Sequence, residues 1–357
     1  LLLNQLPRQI GQIRGGGEGR SLSFAEDGRL LLASLRNGEL AAFELPEGRE
    51  RWRVTPPFPP TAWGNSFAGR MYPAADGLHA ILHPSGSSGV ARPDVSAMQR
   101  IRLADGRVTD LPITAAAHSY SADGRLALLQ SGGTWQLWTT EAWTVSGPAF
   151  AAEGRYCLLS NRAITACAVQ GFKSIDVIDA RNGRRLQRIP IDDDAELSAW
   201  QFSPDGAWLV LGSTAGEVLV YRTDGQQRHR LIMDGGVVDF HASASRFVVA
   251  DEHGTVRVLD PHEGRWRGRS LRTPANRMNA VMADLDRGWI AGNDGRVAIW
   301  RLAEAEVDPD SAPLAIIRHR GALIGMHSVT LDAPRGLVAS FGSEGEIKLL
   351  RLPSGPE

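Results

Sequence analysis

Three histidines are the first candidates for chemistry in this 357-residue chain, because an imidazole can bind a metal ion or transfer a proton near neutral pH. His118, His241 and His327 each lie on or beside a short apolar run that we interpret as the innermost strand of a repeated sheet. A metal ion needs its ligand atoms about 2 Å from one common point, and the sequence spacing does not bring the three together. We expect them to be polar lining, and we assign no catalytic residue, no metal site and no cofactor.

Two glycine-rich segments lack the features of the catalytic and phosphate-binding motifs that they superficially match. Residues 15–19 (GGGEG) are not followed by Gly-Lys-Ser/Thr or by a predicted helix, as a phosphate-binding loop would be. Residues 85–89 (SGSSG) do not have the Gly-x-Ser-x-Gly order of an esterase nucleophile turn. We interpret the first segment as a linker and the second as part of an extended loop.

Two charged segments are candidates for contact with a partner. The acidic one, with Glu196 just after it, lacks the alternating oxygen ligands and central glycine of a calcium loop. It is either a solvated loop or a surface for an Arg-rich partner. The basic one is either soluble surface or a site for acidic groups. The acidic segment is Asp192, Asp193 and Asp194, and the basic segment is Arg318, His319 and Arg320.

The composition indicates a soluble globular protein with a packed core. Hydrophobic residues make up 43% of the chain and charged residues 22%, far from the disordered range. The formal net charge of -1 gives no bulk attraction to nucleic acid or to anionic lipid. Cys157 and Cys167 are the two cysteines, so they are either buried thiols or one cross-strand bridge. Among the basic residues only Lys173 and Lys348 are lysines, which is typical of GC-rich coding and suggests a bacterial source.

Short strands separated by turns position these residues. The segment from 197 to 231 contains four apolar runs, separated by turns at 203–206 (SPDG), 214–216 (TAG) and 223–225 (TDG). Proline presets the backbone for the second position of a turn, and glycine tolerates a positive φ. The runs are too short for helices and rich in Trp, Leu, Val and Tyr, which favours a four-stranded antiparallel sheet.

Copies of the first turn recur along the chain. Successive turn markers lie 39 to 49 residues apart, in the range of four-stranded propeller blades. Residues 150–155 imitate this turn, but using them would make the spacing irregular, so we place the fourth turn at 160–163. The markers are residues 27, 76, 123, 162, 205, 244, 286 and 334.

The third strand of each unit carries the most specific pattern. Several of these runs end in an aromatic or aliphatic residue followed by a polar one: Trp138-Thr139, Ile178-Asp179, Tyr221-Arg222, Leu259-Asp260 and Trp300-Arg301. This pattern resembles the third strand of WD40 repeats, and the resemblance covers essentially the whole chain. The literal Trp-Asp pair and the Gly-His pair of that family are absent, so its usual His-Asp hydrogen-bond network is not expected here. The resemblance implies an all-β, divergent WD40-like propeller.

The two ends of the chain predict how the ring closes. The last unit ends after its third strand, and residues 5–13 form a strand without a sheet of its own, so we expect residues 1–14 to complete the last blade. The prediction is one domain, 1–357, with eight blades, and seven blades as the alternative. The expected blades span 21–54, 63–113, 115–150, 154–191, 197–232, 237–271, 278–318 and 323–352.

Two long connections depart from the repeat and are the first places to look for recognition. Residues 56–65 join the first blade to the second, and residues 83–94 interrupt the second blade. Both connection types emerge on the same face of a propeller, so we expect them to lie side by side; alternatively their aromatic residues cover a blade interface. The candidate contact residues are Phe58, Trp63, Asn65, His83, Arg92 and Asp94.

These observations favour a noncatalytic role. The family resemblance implies a scaffold or sensor that binds a protein partner, or another domain of a longer parent chain, through its loop faces. The competing class is a propeller enzyme, a hydrolase, lyase or oxidoreductase, with its site at the mouth of the central channel. No run of 18 apolar residues occurs, so we do not expect insertion in a membrane. We expect a cytoplasmic protein, or a periplasmic or secreted one if a signal peptide has been removed, and the net charge makes nucleic acid an unexpected partner.

Overall fold

The structure is a computed structural model, and it describes most of the chain between residues 6 and 353. The ranges outside this description are 1–5, 57–70, 75, 83–95, 116, 122–123, 132, 152–155, 161–165, 171–173, 191–195, 225–227, 244, 274–277, 288, 294–295, 302–312, 321–328 and 354–357.

The described residues form eight antiparallel sheets that follow one another along the chain, here numbered sheets 1 to 8. Sheets 1 to 4 contain β2 Gly19–Ala25, β3 Leu30–Leu35, β4 Leu40–Glu44 and β5 Arg49–Val54; β6 Met71–Pro73, β7 His79–Leu82, β8 Ser96–Arg102 and β9 Val108–Ala115; β10 Ala117–Tyr120, β11 Leu126–Ser131, β12 Thr134–Thr139, β13 Thr144–Val145 and β14 Phe150–Ala151; and β15 Tyr156–Leu159, β16 Ala166–Gln170, β17 Ser174–Asp179 and β18 Arg184–Pro190.

Sheets 5 to 8 repeat the same four-stranded order, from the inner strand to the outer one. They contain β19 Leu197–Phe202, β20 Trp208–Ser213, β21 Glu217–Arg222 and β22 Arg228–Ile232; β23 Val237–Ser243, β24 Arg246–Asp251, β25 Thr255–Asp260 and β26 Arg265–Arg272; β27 Ala280–Asp284, β28 Trp289–Asn293, β29 Val297–Arg301 and β30 Ala315–Ile317; and β31 Val329–Asp332, β32 Leu337–Phe341, β33 Glu346–Arg351 and β1 Arg8–Arg14. A short 3-10 helix, Ala333–Arg335, joins β31 to β32.

The turn chemistry read from the sequence forms as expected in sheet 5. The hydroxyl of Ser203 accepts the N–H of Trp208 at 2.9 Å, and the carboxylate of Asp205 accepts the N–H of Ala207 at 3.0 Å. Gly206 has a φ of 73°, a backbone conformation that residues with a side chain rarely adopt. These contacts reverse the chain between β19 and β20, and the prediction of an all-β propeller with four-stranded antiparallel blades is confirmed.

In sheet 3 the outermost position is shared by two short strands. β13 and β14 both pair with β12, which places Phe150 opposite Trp135 in that sheet. Residues 150–151 therefore end sheet 3 and do not begin the second strand of sheet 4. The sequence-based choice to ignore the imitation turn at 150–155 agrees with this pairing.

The sheets contact one another in sequence and around a closed circle. Strand β2 of sheet 1 contacts β6 of sheet 2 on one side and β31 of sheet 8 on the other. Side chains join the inner strands of neighbouring sheets: Ser23 donates to the Met71 carbonyl at 3.1 Å, and Ser119 accepts the Leu159 N–H at 2.9 Å. Asp239 accepts the N–H of Val281 in the same way, at 2.9 Å.

The hydrophobic core is divided among the interfaces between neighbouring sheets. Each of the eight buried clusters draws its residues from two consecutive sheets, and one of them joins sheet 8 to sheet 1. Trp135 and Trp300 are among the largest fully buried side chains, and Trp208 and Trp289 are also buried. Trp208, Trp289 and Trp300, all on repeat strands, therefore form inter-blade core, whereas Trp138 on β12 is only half-buried against the cluster between sheets 2 and 3.

The N-terminal strand completes the last sheet, as predicted. β1 pairs with β33 in antiparallel register from Arg8 opposite Arg351 to Arg14 opposite Glu346. The glycine segment that follows packs tightly: a side chain at Gly15 or Gly19 would overlap the buried ring of Phe341. The glycines are therefore needed so that the chain can pass closely from sheet 8 to sheet 1.

Outer strands carry arginines that pair with acids on the adjacent third strand. Arg188 of β18 binds both carboxylate oxygens of Asp176 on β17 at 2.7 Å, and its hydrogen bonds are the main cause of a lowered Asp176 pKa. Glu217 with Arg230, and Asp260 with Arg267, repeat this arrangement in sheets 5 and 6. Charged outer strands protect exposed sheet edges against pairing with other chains.

The strand register bears on the two alternatives for the cysteines, buried thiols or a cross-strand bridge. Cys157 lies opposite Val169, whereas Cys167 lies opposite Leu159, so the cysteines occupy diagonal and not facing positions on β15 and β16. A cross-strand bridge is disfavoured at this offset, because diagonal Cα atoms are about 7–8 Å apart. Trp266 on β26 is half-buried, and the Arg257 guanidinium lies over its ring, 4.6 Å from the ring centre. Among the described residues, no helix is long and apolar enough to cross a membrane.

Candidate functional site

Of the candidate contact residues, the structure describes the basic segment 318–320. Arg318, His319 and Arg320 follow β30, the outermost strand of sheet 7, on the connection that leads into sheet 8. The other candidates are outside the described residues: Phe58, Trp63, Asn65, His83, Arg92, Asp94, Asp192, Asp193 and Asp194. The predicted side-by-side placement of the two long connections therefore stays a prediction.

The side chain of the middle residue of the basic segment is enclosed, and its two neighbours are exposed. The His319 side chain has a relative exposure of 0%, whereas Arg318 and Arg320 are exposed. The two arginine side chains therefore extend toward solvent while the imidazole lies inside the sheet 7–sheet 8 region. The enclosed imidazole offers little side-chain surface, so we expect contacts by this segment to involve the two arginines, and the role of all three as contact residues stays a prediction.

His319 bonds to two residues of sheet 8. Its Nδ1 atom lies 2.8 Å from Oε1 of Glu344, and its Nε2 atom lies 2.9 Å from Oγ of Ser340. A carboxylate can only accept, so Nδ1 carries the proton and Nε2 accepts from the serine hydroxyl. Ser340 is fully buried on β32, and Glu344 lies in the turn before β33, where Gly345 has a φ of 82°. A hydrogen-bond network of histidine, serine and acid thus joins this connection to sheet 8, although the chain has no Gly-His pair that would predict it.

The backbone of the same segment is also held. Lys348 on β33 donates from Nζ to the Arg318 carbonyl at 2.7 Å. The Arg320 N–H donates to Oε1 of Glu344 at 3.2 Å, so one carboxylate oxygen accepts both from the His319 ring and from the next backbone amide. We call the four bonds made by Ser340, Glu344 and Lys348 to residues 318–320 the sheet 8 clamp. It fixes the positions from which the two arginine side chains extend.

Burial keeps the clamp histidine neutral. Loss of solvent lowers the pKa of His319 below its ordinary value of 6.5, and this effect outweighs the bond to Glu344, which acts in the opposite direction. The positive charge of Lys348 lowers the pKa further. At neutral pH the imidazole therefore acts as one donor and one acceptor, which suits its two partners.

The residue types of the clamp are also those of a metal site. His319, Glu344 and Glu346 offer atoms that lie within 4.8 Å of one another. However, both ring nitrogens of His319 are already hydrogen-bonded, and the Lys348 ammonium lies 3.5 Å from the Glu346 carboxylate. These bonds account for the positions of all three side chains, so the group is best explained as a structural network.

The two arginines offer unused hydrogen-bonding capacity. Neither guanidinium of Arg318 or Arg320 makes a hydrogen bond or ion pair with any residue in the part of the chain that the structure describes. The exposed Arg14, opposite Glu346 in the sheet, lies at the same end of sheet 8. Guanidinium groups bind carboxylates through two parallel hydrogen bonds. The arrangement of the two arginines can therefore bind anionic groups.

Among the channel histidines, only the side chain of His241 is described. Burial lowers its pKa from 6.5 to about 4, against the opposing effects of a hydrogen bond to the Ala283 backbone and the charge of Asp284. It is neutral at physiological pH. His327 and the side chain of His118 are outside the described part of the chain, so their convergence with His241 is not tested.

Comparison with known proteins bears on the fold. The chain aligns with the C-terminal WD40 domain of Sif2 at a TM-score of 0.70 and 13% sequence identity, covering 98% of this chain and 99% of that one. The fold is that of a WD40-like β-propeller. It is also similar to the computationally designed Ika8 protein, with a TM-score of 0.66, 13% identity, and coverage of 96% of this chain and 99% of that one. No protein-family model and no curated protein sequence matches the chain.

Proposed function

We propose that this protein is a noncatalytic scaffold: an eight-bladed WD40-like propeller, formed by the whole chain as one domain, that binds another protein or domain through the face carrying residues 318–320. The eight sheets and the eight inter-sheet core clusters support eight blades over seven. The propeller fold of WD40 domains is typical of protein-interaction scaffolds.

The observation that carries the proposal is the contrast between the fixed backbone and the free side chains of the basic segment. The clamp holds residues 318–320 in place, yet the guanidiniums of Arg318 and Arg320 have no partner among the described residues. Ordering flexible side chains on binding costs free energy, and a fixed backbone reduces that cost. Such a segment is suited to recognition.

The proposal is tested by affinity capture from native extract. The bait proteins are the unmodified chain, an Arg318→Glu/Arg320→Glu variant, and a control with the same change in charge at the exposed Arg107 and Arg269. We expect a partner to be captured by the unmodified chain and by the control, and to be lost with Arg318→Glu/Arg320→Glu. Capture of the same proteins by all three would refute the choice of face.

Variants with shortened 56–65 and 83–94 connections extend the test to the remaining candidate residues. Loss of the same partner in those variants would extend the binding face to the second blade. The enzyme alternative has a separate measurement: stoichiometric metal in the purified protein would favour it, because a propeller enzyme would use metal ligands or acids at the channel mouth.

A further inference from the structure

The side chains of residues 318–320 alternate between exposed, buried and exposed. In an extended backbone, residues two apart point to the same side and the residue between them points to the opposite side. β30 ends at Ile317 and Arg320 lies in a bend, but the enclosed His319 side chain between the exposed Arg318 and Arg320 continues the alternation of the strand. The two guanidiniums therefore start from the same side of the chain, about 6.5–7 Å apart at the backbone.

The same spacing occurs in an extended peptide that carries acids at alternate positions. Two carboxylates at positions i and i+2 of such a peptide are also about 6.5–7 Å apart on one side. Each can accept a two-pronged hydrogen bond from one guanidinium. The peptide and the segment therefore match in the spacing of their charged side chains and are opposite in charge. Neither arginine has to break an existing ion pair with a described residue in order to bind the peptide.

The surroundings favour a short acidic peptide over a polyanion. Glu344 and Glu346 lie close to His319, and their side chains are partly exposed. The whole chain has a formal net charge of -1. A nucleic acid backbone would bring many phosphates into this region and meet these carboxylates. A peptide with two alternate acids contacts only the arginines.

We propose that Arg318 and Arg320 form a docking site for an extended acidic segment of a partner protein, in which one carboxylate binds each guanidinium. This inference rests on the proposed scaffold function and names the partner's chemistry. His319, Ser340, Glu344 and Lys348 are positioning residues, because they hold the segment without touching the peptide.

Fluorescence polarisation with labelled peptides tests the site. The probes are an eight-residue (Glu-Ser) repeat, a (Gln-Ser) repeat of the same length, and a Glu-Glu-Ser-Ser repeat with the same net charge but a different spacing. At low salt we expect the (Glu-Ser) repeat to bind about tenfold more tightly than the neutral repeat and about threefold more tightly than the respaced one. Equal binding of all three peptides would overturn the proposal.

Protein variants locate the binding. Arg318→Glu/Arg320→Glu should weaken binding of the (Glu-Ser) repeat about tenfold or more, whereas Arg107→Glu/Arg269→Glu should change it less than about twofold. His319→Leu keeps both guanidiniums but removes the two clamp bonds made by the imidazole, so it should weaken binding about threefold with little change in its salt dependence. Thermal melting of each variant verifies folding before binding is compared. Unchanged binding by the double Glu variant would refute the site.

The two proposals fail in different ways. If capture from extract depends on Arg318 and Arg320 but no acidic peptide binds, the scaffold function stands and the acidic, extended partner is refuted. If the (Glu-Ser) repeat binds as expected but the double Glu variant captures the same proteins as the unmodified chain, the site is a genuine acidic-peptide site and the choice of scaffold face is wrong.

Discussion

The buried ring of Phe341 occupies the space in which a side chain at Gly19 would have to lie. Phe341 ends β32 of sheet 8, and Gly19 begins β2 of sheet 1, so the contact joins the last sheet of the ring to the first. Gly15 contacts the same ring in the same way. The glycine segment is thus a close-packed junction, which explains its composition without any ligand.

Substitution of Gly19 by alanine should destabilise this junction. An added methyl group in a filled core typically costs about 1–3 kcal/mol, and we expect about 2 kcal/mol here. The measurement is chemical denaturation followed by tryptophan fluorescence. Phe341→Ala removes the Cγ and Cδ atoms that lie closest to Gly19, so the Gly19→Ala/Phe341→Ala double variant should be less destabilised than the two single losses added together.

Gly11 supplies the matched control. It lies on β1 close to the same junction, and an added side-chain carbon would meet its nearest neighbour at 3.6 Å, an ordinary contact. Gly11→Ala should change the free energy of unfolding by less than about 0.5 kcal/mol. Equal losses from Gly11→Ala and Gly19→Ala would contradict the packing that we assign to Phe341.

Removal of residues 1–14 should destabilise the whole propeller. β33 would lose its partner strand and become an exposed edge, and the buried Ile13 would leave the core between sheets 8 and 1. We expect a lower melting temperature and a lower denaturant midpoint. Deletion of residues 1–5, which leaves β1 whole, is the control. An unchanged melting temperature after deletion of residues 1–14 would contradict the closure of the ring by β1.

The stability of the protein should fall as the pH drops from about 6.5 to 4, in part because of His241. Its pKa is about 4 when folded and near 6.5 when unfolded, since burial penalises the charged form. Between these values the unfolded chain binds more protons, so acid favours unfolding. The contribution is fully present above pH 6.5 and is lost as the pH falls through 4, and it amounts to about 3 kcal/mol.

Urea denaturation at several pH values measures this effect. The His241→Gln variant should show a shallower fall in the free energy of unfolding between pH 6.5 and 4 than the unmodified chain does. His253→Gln removes an exposed imidazole and should leave the slope close to that of the unmodified chain. Parallel pH profiles for His241→Gln and the unmodified chain would show that the ring is not buried as described.

Cys157 and Cys167 should both be free thiols. Their diagonal positions on β15 and β16 place the backbones too far apart for an unstrained bridge. Thiol titration of the unfolded protein without reductant should therefore give two reactive groups per chain. A titre of zero, restored to two by reductant, would mean that the strands are paired in another register.

The repeat could be read from the sequence because its signals are local. The Ser203 to Gly206 turn makes its own hydrogen bonds within a few residues, and the period-two alternation of the strands follows from backbone geometry. The pairing of the N-terminal strand was also predictable, since the last unit lacked an outer strand. In each case the residues that decide the structure are neighbours in the chain or fill an evident gap in the repeat.

The candidate site could be predicted only in part. The basic residues 318–320 were visible as a charged segment, but their separate roles depend on Ser340, Glu344 and Lys348, which lie 20 to 30 residues later. A search for a Gly-His pair does not find the hydrogen-bond network of His319, because Arg318 precedes this histidine. Its carboxylate partner is also a glutamate, Glu344, and not the aspartate of the family pattern. A histidine before a strand, combined with an acid in the following hairpin, was the available signal.

Sequence alone therefore determined the strands, their turns and the order of the repeats, since short-range backbone preferences and hydrophobic alternation are enough for these. Only the tertiary structure decided which charged residues are available for binding. It encloses the His319 side chain against Ser340 and Glu344 of sheet 8 while leaving Arg318 and Arg320 exposed, and this depends on contacts between sheets that no local pattern records. The Phe341 contact with Gly15 and Gly19 has the same origin, because it joins segments from opposite ends of the chain.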